Sequence, residues 1–159
     1  MAFTVDLTEN EGVAMPFDGL NKHFVVKKVV DFSEAANHLT NAQIMALMNI
    51  PAGVLVREVI LKVTTSADSD TTTFEVGAYT KAAAEIDGHG FIYAKNPYQA
   101  TVPAYVRDPD VDTHAIYAIA DGTAGYVSGS DWVLTCANSD AQELDNGVIE
   151  FMVVCIDLR

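Results

Sequence analysis

The sequence predicts an all-β fold, an antiparallel β-sandwich with one short helix. Three observations predict it. Short runs of β-branched and aromatic residues recur between turn-forming residues. Only one segment has helical spacing. The closing run, Gly147 to Leu158, is apolar on both parities, as a strand in the middle of a covered sheet must be. With 159 residues the chain is one domain long and can bury a core without disulfide or metal staples.

Residues 1–20 read as an N-terminal arm. Phe3 to Leu7 alternates and can pair as a strand, and the following stretch is broken by Gly12, Pro16 and Gly19. Residues 21–159 read as the single sandwich domain. Its first strand is His23 to Phe32, with Phe24, Val26, Lys28 and Val30 on one face and Val25, Lys27 and Val29 on the other. Both faces are partly apolar, which fits a strand covered on two sides or lying in an interface.

The predicted helix follows. Thr40 and Gln43 have capping-box spacing, Ile44, Leu47 and Met48 fall at i, i+3 and i+4, and Pro51 bars continuation. Pro51-Ala52-Gly53 then turns into a long strand, Val54 to Thr65. Its faces are read as Leu55, Val59, Leu61 and Val63 against Val56, Glu58, Ile60 and Lys62. A polar turn at 66–70 leads into a return strand, Thr71 to Tyr79, with Phe74, Val76 and Ala78 facing inward.

Residues 80–112 read as a long irregular loop containing Asp87-Gly-His-Gly90, Pro97, Pro103 and Pro109. Such a loop in a compact domain is commonly functional or an oligomer contact. Three closing strands are placed near 113–120, 130–137 and 147–158. In the last, Ile149, Phe151, Val153 and Cys155 face one way and Val148, Met152, Val154 and Ile156 the other. It reads as a central strand. Apolar faces in this number exceed what one small core requires, so part of the surface is expected to meet another chain.

The chain has 9 Lys+Arg against 22 Asp+Glu, a formal charge of −13. A field of this sign repels phosphate and anionic headgroups, so no nucleic-acid or membrane partner is expected. No run approaches the ~20 apolar residues of a membrane span, and no secretory signal is legible. From Asp108 to Leu158 there are ten acids and not one Lys or Arg. They read as a solvated face or as a surface for a basic partner.

Chemistry is mostly missing. Cys136 and Cys155 lie in apolar strands and read as core, and their spacing and number form no disulfide framework. His23, His38, His89 and His114 are scattered singly, outside any metal-ligand pattern, with His89 in the presumed loop between glycines. Asp108, Asp110 and Asp112 alternate like hard-cation ligands, and Asp68 and Asp70 repeat that spacing. The calcium-hand loop counted from Asp108 then puts Thr113 where Gly is needed and Ile119 where an acid is needed. There is no phosphate-cradling glycine loop and no nucleophile elbow. Trp132 shares a face with Leu134 and Cys136 and reads as core. The expectation is a protein that is not an enzyme, with no catalytic, cofactor-binding or metal-binding residues.

Several stretches carry a resemblance. They are Val30 to Ser33, Asn49-Ile-Pro-Ala-Gly-Val-Leu-Val56, Glu58 to Thr65, Thr73 to Gly77, Asp87-Gly-His-Gly-Phe91, Tyr126 with Asp131-Trp-Val-Leu134, and the ending Asn146 to Leu158. Over residues 24–158 the chain resembles the decoration, or cement, proteins of tailed-bacteriophage heads. The resemblance implies a jelly-roll-like sandwich that assembles as a homotrimer on the capsid exterior. There it would clamp subunits of the major capsid protein, with residues 1–20 as an anchoring arm. It implies synthesis in the cytoplasm of the host bacterium, a virion location and no cofactor. Two other readings stay open: a carbohydrate-binding or fibre-type module using Tyr93, Tyr98, Tyr105 and Tyr126, and a tail-tube or head-completion protein.

Overall fold

The computed structural model of this chain describes residues 5–6, 22–68, 72–107 and 125–159, the first pair and Lys22 as backbone only. The remaining arm residues, the expected strand near 113–120 and the alternating acids Asp108, Asp110 and Asp112 lie outside the described residues. Among the described residues there are nine strands: β1 (Val5–Asp6), β2 (Lys22–Asp31), β3 (Ile44–Ile50), β4 (Val54–Thr65), β5 (Phe74–Thr80), β6 (Glu85–Lys95), β7 (Ala104–Val106), β8 (Trp132–Asn138) and β9 (Val148–Asp157). The described helical content is one 3₁₀ turn, Ala35–Asn37. No helix here is long and apolar enough to cross a membrane.

The strands form two sheets, β2-β9-β4-β7 and β1-β3-β8-β5-β6. Folding the chain between β5 and β6 as one long hairpin pairs β5 with β6, β4 with β7, β3 with β8 and β2 with β9, and all four pairings are present. Rolling that hairpin adds β4–β9 and β5–β8. This winding makes the sandwich a jelly roll. β1 adds two residues, parallel to Met45 and Ala46 of β3.

The core lies between the sheets. Phe74 is edge-on to Phe32 at 6.1 Å and tilted against Phe151 at 5.8 Å, while Phe91 stacks on Trp132 at 6.0 Å. All five rings are buried. Burying one such side chain stabilises by about 1.5–3 kcal/mol, so this aromatic stack is a main source of inter-sheet cohesion. As expected, β9 sends Ile149, Phe151, Val153 and Cys155 inward and runs between β2 and β4.

Three expectations are corrected. The segment expected to be a helix is strand β3. It is buried on both faces at Met45, Ala46, Leu47 and Met48, and a register shift between Ala46 and Met48 breaks its alternation. An apolar run without alternation carries the same pattern as a buried helix. The Thr40–Gln43 spacing does make contact: the Thr40 amide donates to Gln43 Oε1 at 2.8 Å and the Gln43 amide to the Thr40 carbonyl at 3.1 Å. This closes a turn, since Ala42 at φ 61° cannot continue a right-handed helix.

The supposed loop of 80–112 contains β6 and β7. Asp87-Gly-His-Gly90 sits inside β6, whose pairing with β5 is interrupted by three register shifts. These bulges hide the strand from a period-two reading. A bulge between Val56 and Glu58 likewise reverses the first part of β4. Val54, Val56, Val59, Leu61 and Val63 face the core, and Leu55, Glu58, Ile60 and Lys62 face outward.

Candidate interaction face

The outer surface of β2-β9-β4-β7 is built by strands whose inner residues are already committed to the core. On β2, Val26 and Val30 are buried while Val25 and Val29, at 53% and 58% exposure, point out. Register places Val25 beside Val154, Lys27 beside Met152 and Val29 beside Glu150. Across β9, Ile60 lies beside Met152 and Lys62 beside Glu150, and Tyr105 of β7 follows at 61% exposure. Val154, Met152 and Val148 are half-buried. The second apolar parity of β2 is therefore exposed at Val25 and Val29, whereas on β4 and β9 the outward Ile60 and Ile156 are buried.

Charges border this surface in pairs. Lys27 Nζ lies 3.2 Å from Glu150 Oε1, and Arg107 lies 3.3 Å from Glu58. β2 is an edge strand of ten residues, and Lys27 and Lys28 stand at its middle. Lysines there discourage another sheet from pairing with the edge.

Several acids of the cation-free segment are answered from other strands. Lys81 Nζ approaches Asp131 at 2.9 Å, and the Ala52 amide donates to the same carboxylate. These two bonds hold Asp131 below the ordinary carboxylate range. Arg159 pairs with Asp157 at 2.8 Å. Sequence distance concealed the Lys81–Asp131 pair, whereas Arg159 stands only two residues from Asp157.

The chemical candidates fall apart in space. Cys136 and Cys155 are buried in the core, and burial pushes both thiols up, Cys155 to about 12. His89 lies on β6 against Tyr93, ring to ring at 4.9 Å, with Nδ1 4.0 Å from Asp87. His38 approaches Glu143 at 3.6 Å in the turns at one end of the sandwich, and His23 stands at the start of β2. Among the described residues no group of three His, Cys, Asp or Glu is placed to hold a metal. Trp132 is buried, with Tyr126 edge-on at 5.1 Å. Tyr93, Tyr98 and Tyr105 are exposed, whereas Tyr126 is half-buried.

No family model and no curated protein matches the sequence. Solved structures share its fold. A chain in the capsid of Ralstonia phage GP4 superposes with a TM-score of 0.64 at 14% identity, over 98% of this chain and 94% of that one. A chain of the cyanophage Pam1 capsid asymmetric unit gives a TM-score of 0.52 at 15% identity, over 94% of this chain and 95% of that one. At these identities the likeness is one of fold.

Proposed function

We propose that this chain is a structural virion protein that decorates and cements the exterior of a bacteriophage capsid as a homotrimer, bound to the major capsid protein. The observation that carries the reading is the end-to-end likeness to the GP4 chain. Because both chains are covered almost completely, the matching chain is itself a lone jelly roll of about this size. The outward apolar face of β2-β9-β4-β7 supports the same reading, because it gives a rigid sandwich a surface for a partner.

Cementing needs no catalytic residue. A protein that binds the assembled shell and not its free subunits stabilises the shell by mass action, by about 2.7 kcal/mol per site at a hundredfold excess over Kd. A trimer holding several subunits adds avidity. The excess of acids keeps such a protein away from packaged DNA and soluble on the outer surface.

The test is co-sedimentation of the full chain with expanded and unexpanded shells of the cognate major capsid protein. Binding to expanded shells, with a higher temperature of shell disruption, is expected. A chain that sediments alone beside intact shells overturns the reading. The three exposed tyrosines Tyr93, Tyr98 and Tyr105 favour one second reading, a glycan-binding module on a virion surface. A glycan array without signal removes it.

A further inference from the structure

The turn in front of the central strand β9 carries the one Asn-Gly pair of the chain, Asn146-Gly147. The fold uses both residues. Gly147 has φ 95°, and a β-carbon there would stand 3.1 Å from the Ala67 nitrogen and the Thr65 oxygen, so a side chain is disfavoured on two grounds. Asn146 Oδ1 accepts the Asp68 amide at 2.8 Å, and the Gly147 carbonyl accepts the Phe32 amide at 2.9 Å. The pair thus fastens the start of β9 to the segments that follow β2 and β4.

An asparagine amide is an electrophile, and the backbone nitrogen of the next residue is the nucleophile within reach, because its attack on Cγ closes a five-membered ring. Two features of this junction favour the attack. The Asp68 N–H already points at Oδ1, the atom on which negative charge develops, and a donor fixed in advance stabilises an oxyanion. Among the described residues the Gly147 N–H donates no hydrogen bond, although Gly147 is buried. A buried amide without an acceptor is costly, and ring closure removes that proton. Asn146 is only half-buried, so water reaches the site beside it.

Other candidate pairs lack these features. The Gly88 amide donates to Glu85 Oε1 at 3.2 Å, and the Asp87 carboxylate before it accepts from the His89 amide. Asn138 is buried with its Nδ2 bonded to two carbonyls, and the Ser139 amide is held by the Thr73 carbonyl at 3.0 Å. The Ala42 amide after Asn41 donates to the Asn138 carbonyl, and Asn96 precedes Pro97, which has no N–H to lose.

We propose that Asn146 is a site of spontaneous deamidation in the folded protein, and that the modification loosens the junction in front of β9. The Gly147 nitrogen gives up its proton and bonds to Asn146 Cγ, and Nδ2 leaves as ammonia. Water then opens the cyclic imide at either carbonyl, giving aspartate or isoaspartate. The balance is amide plus water to acid plus ammonia, with no oxidation or reduction. Either product adds one negative charge to the chain's −13. Aspartate keeps an acceptor for the Asp68 amide. Isoaspartate lengthens the main chain by one methylene, which shifts Gly147 from its place against Thr65 and Ala67 and opens the Phe32–Gly147 bond. The reaction needs no partner and proceeds whether or not the chain cements a shell.

The experiment incubates the full chain at mildly alkaline pH, folded and, in parallel, unfolded in urea. Peptide mass mapping follows every asparagine, and electron-transfer fragmentation separates aspartyl from isoaspartyl products. In the folded protein Asn146 is expected to convert before any other asparagine, with isoaspartate among the products, at a rate within about tenfold of the unfolded chain's. Asn146→Gln would require a six-membered ring and is expected to slow conversion at this position by about tenfold or more. Asn146→Asp, which imitates the aspartyl product, is expected to melt close to the wild type. The aged isoaspartyl fraction is expected to melt lower and to exchange the Phe32 and Asp68 amides faster. A folded chain that stays intact at Asn146 while the unfolded chain converts there overturns the proposal. So does another asparagine converting first, or aspartate formed without isoaspartate, which would mean direct hydrolysis. An isoaspartyl fraction with unchanged melting and exchange overturns the loosening.

Discussion

Arg159 reaches back two residues and grips Asp157 with both arms of its guanidinium, Nε at 2.9 Å from Oδ1 and Nη2 at 2.8 Å from Oδ2. The Arg159 amide donates to the same Oδ1 at 3.0 Å. Asp157 is almost fully buried at the end of the central strand β9. These hydrogen bonds hold its carboxyl down at about 2. A group whose pKa falls on folding contributes stability that is complete above its unfolded value, 3.8, and is lost as the pH falls through its folded value. The pair therefore supports the fold down to about pH 2. Arg159→Met is expected to lower stability across the neutral range, where the contribution is complete, and so to move the acid-unfolding midpoint upward. Far-UV circular dichroism against pH measures it, and an unmoved midpoint would remove the pair from the acid response.

Gly77 on β5 lies directly beneath β6. A β-carbon there would stand 2.2 Å from the Asp87 carbonyl oxygen, which is backbone and cannot rotate aside. Gly77→Ala is expected to push β6 off β5 and to cost at least about 1–3 kcal/mol, as overpacking does. For a chain of this length that lowers Tm by roughly 2–4 °C per kcal/mol. A melting curve that superposes on the wild type would refute the close approach.

The same neighbourhood shows what the sequence made legible and what it did not. Strands β2, β4, β5, β8 and β9 were predicted within about three residues, because each carries a long β-branched or aromatic run bounded by turn residues. β6 is hidden because Gly88 and Gly90 punctuate it, and glycines signal loops in most contexts. β3 was misread because both of its faces are buried. The outward face of β2 and β9 was legible as a second apolar parity. Its charge border was not, since Lys27–Glu150 spans the length of the domain and only the rolled hairpin brings the two together.

Asn138, fully buried at the end of β8, holds the acidic turns in shape. Its Nδ2 donates to the carbonyls of Leu39 and Gln142, and its Oδ1 accepts from the Asp140 amide. Asn138→Leu would remove all three bonds; the Leu39 carbonyl keeps the Leu144 amide, whereas the Gln142 carbonyl and the Asp140 amide lose this partner, at about 1–3 kcal/mol for each one that water cannot reach. The expected outcome is a lower Tm together with faster amide exchange in residues 139–147. Loss of stability with unchanged exchange in that turn would mean that Asn138 acts by packing alone.

Cys136 and Cys155 face the same core from the two sheets, on β8 and β9, and neither is exposed. Burial raises both thiols, so at neutral pH almost no thiolate exists to react. Native protein is expected to be silent to a thiol-specific reagent, and to titrate two thiols once unfolded by denaturant. Labelling under native conditions should then follow opening of the sandwich and accelerate in Gly77→Ala, where β6 is displaced. Cys136→Ala is expected to lower stability modestly, as loss of a small buried apolar group does, without altering assembly. Rapid native labelling of either thiol would contradict a closed core and would require an access path between the sheets.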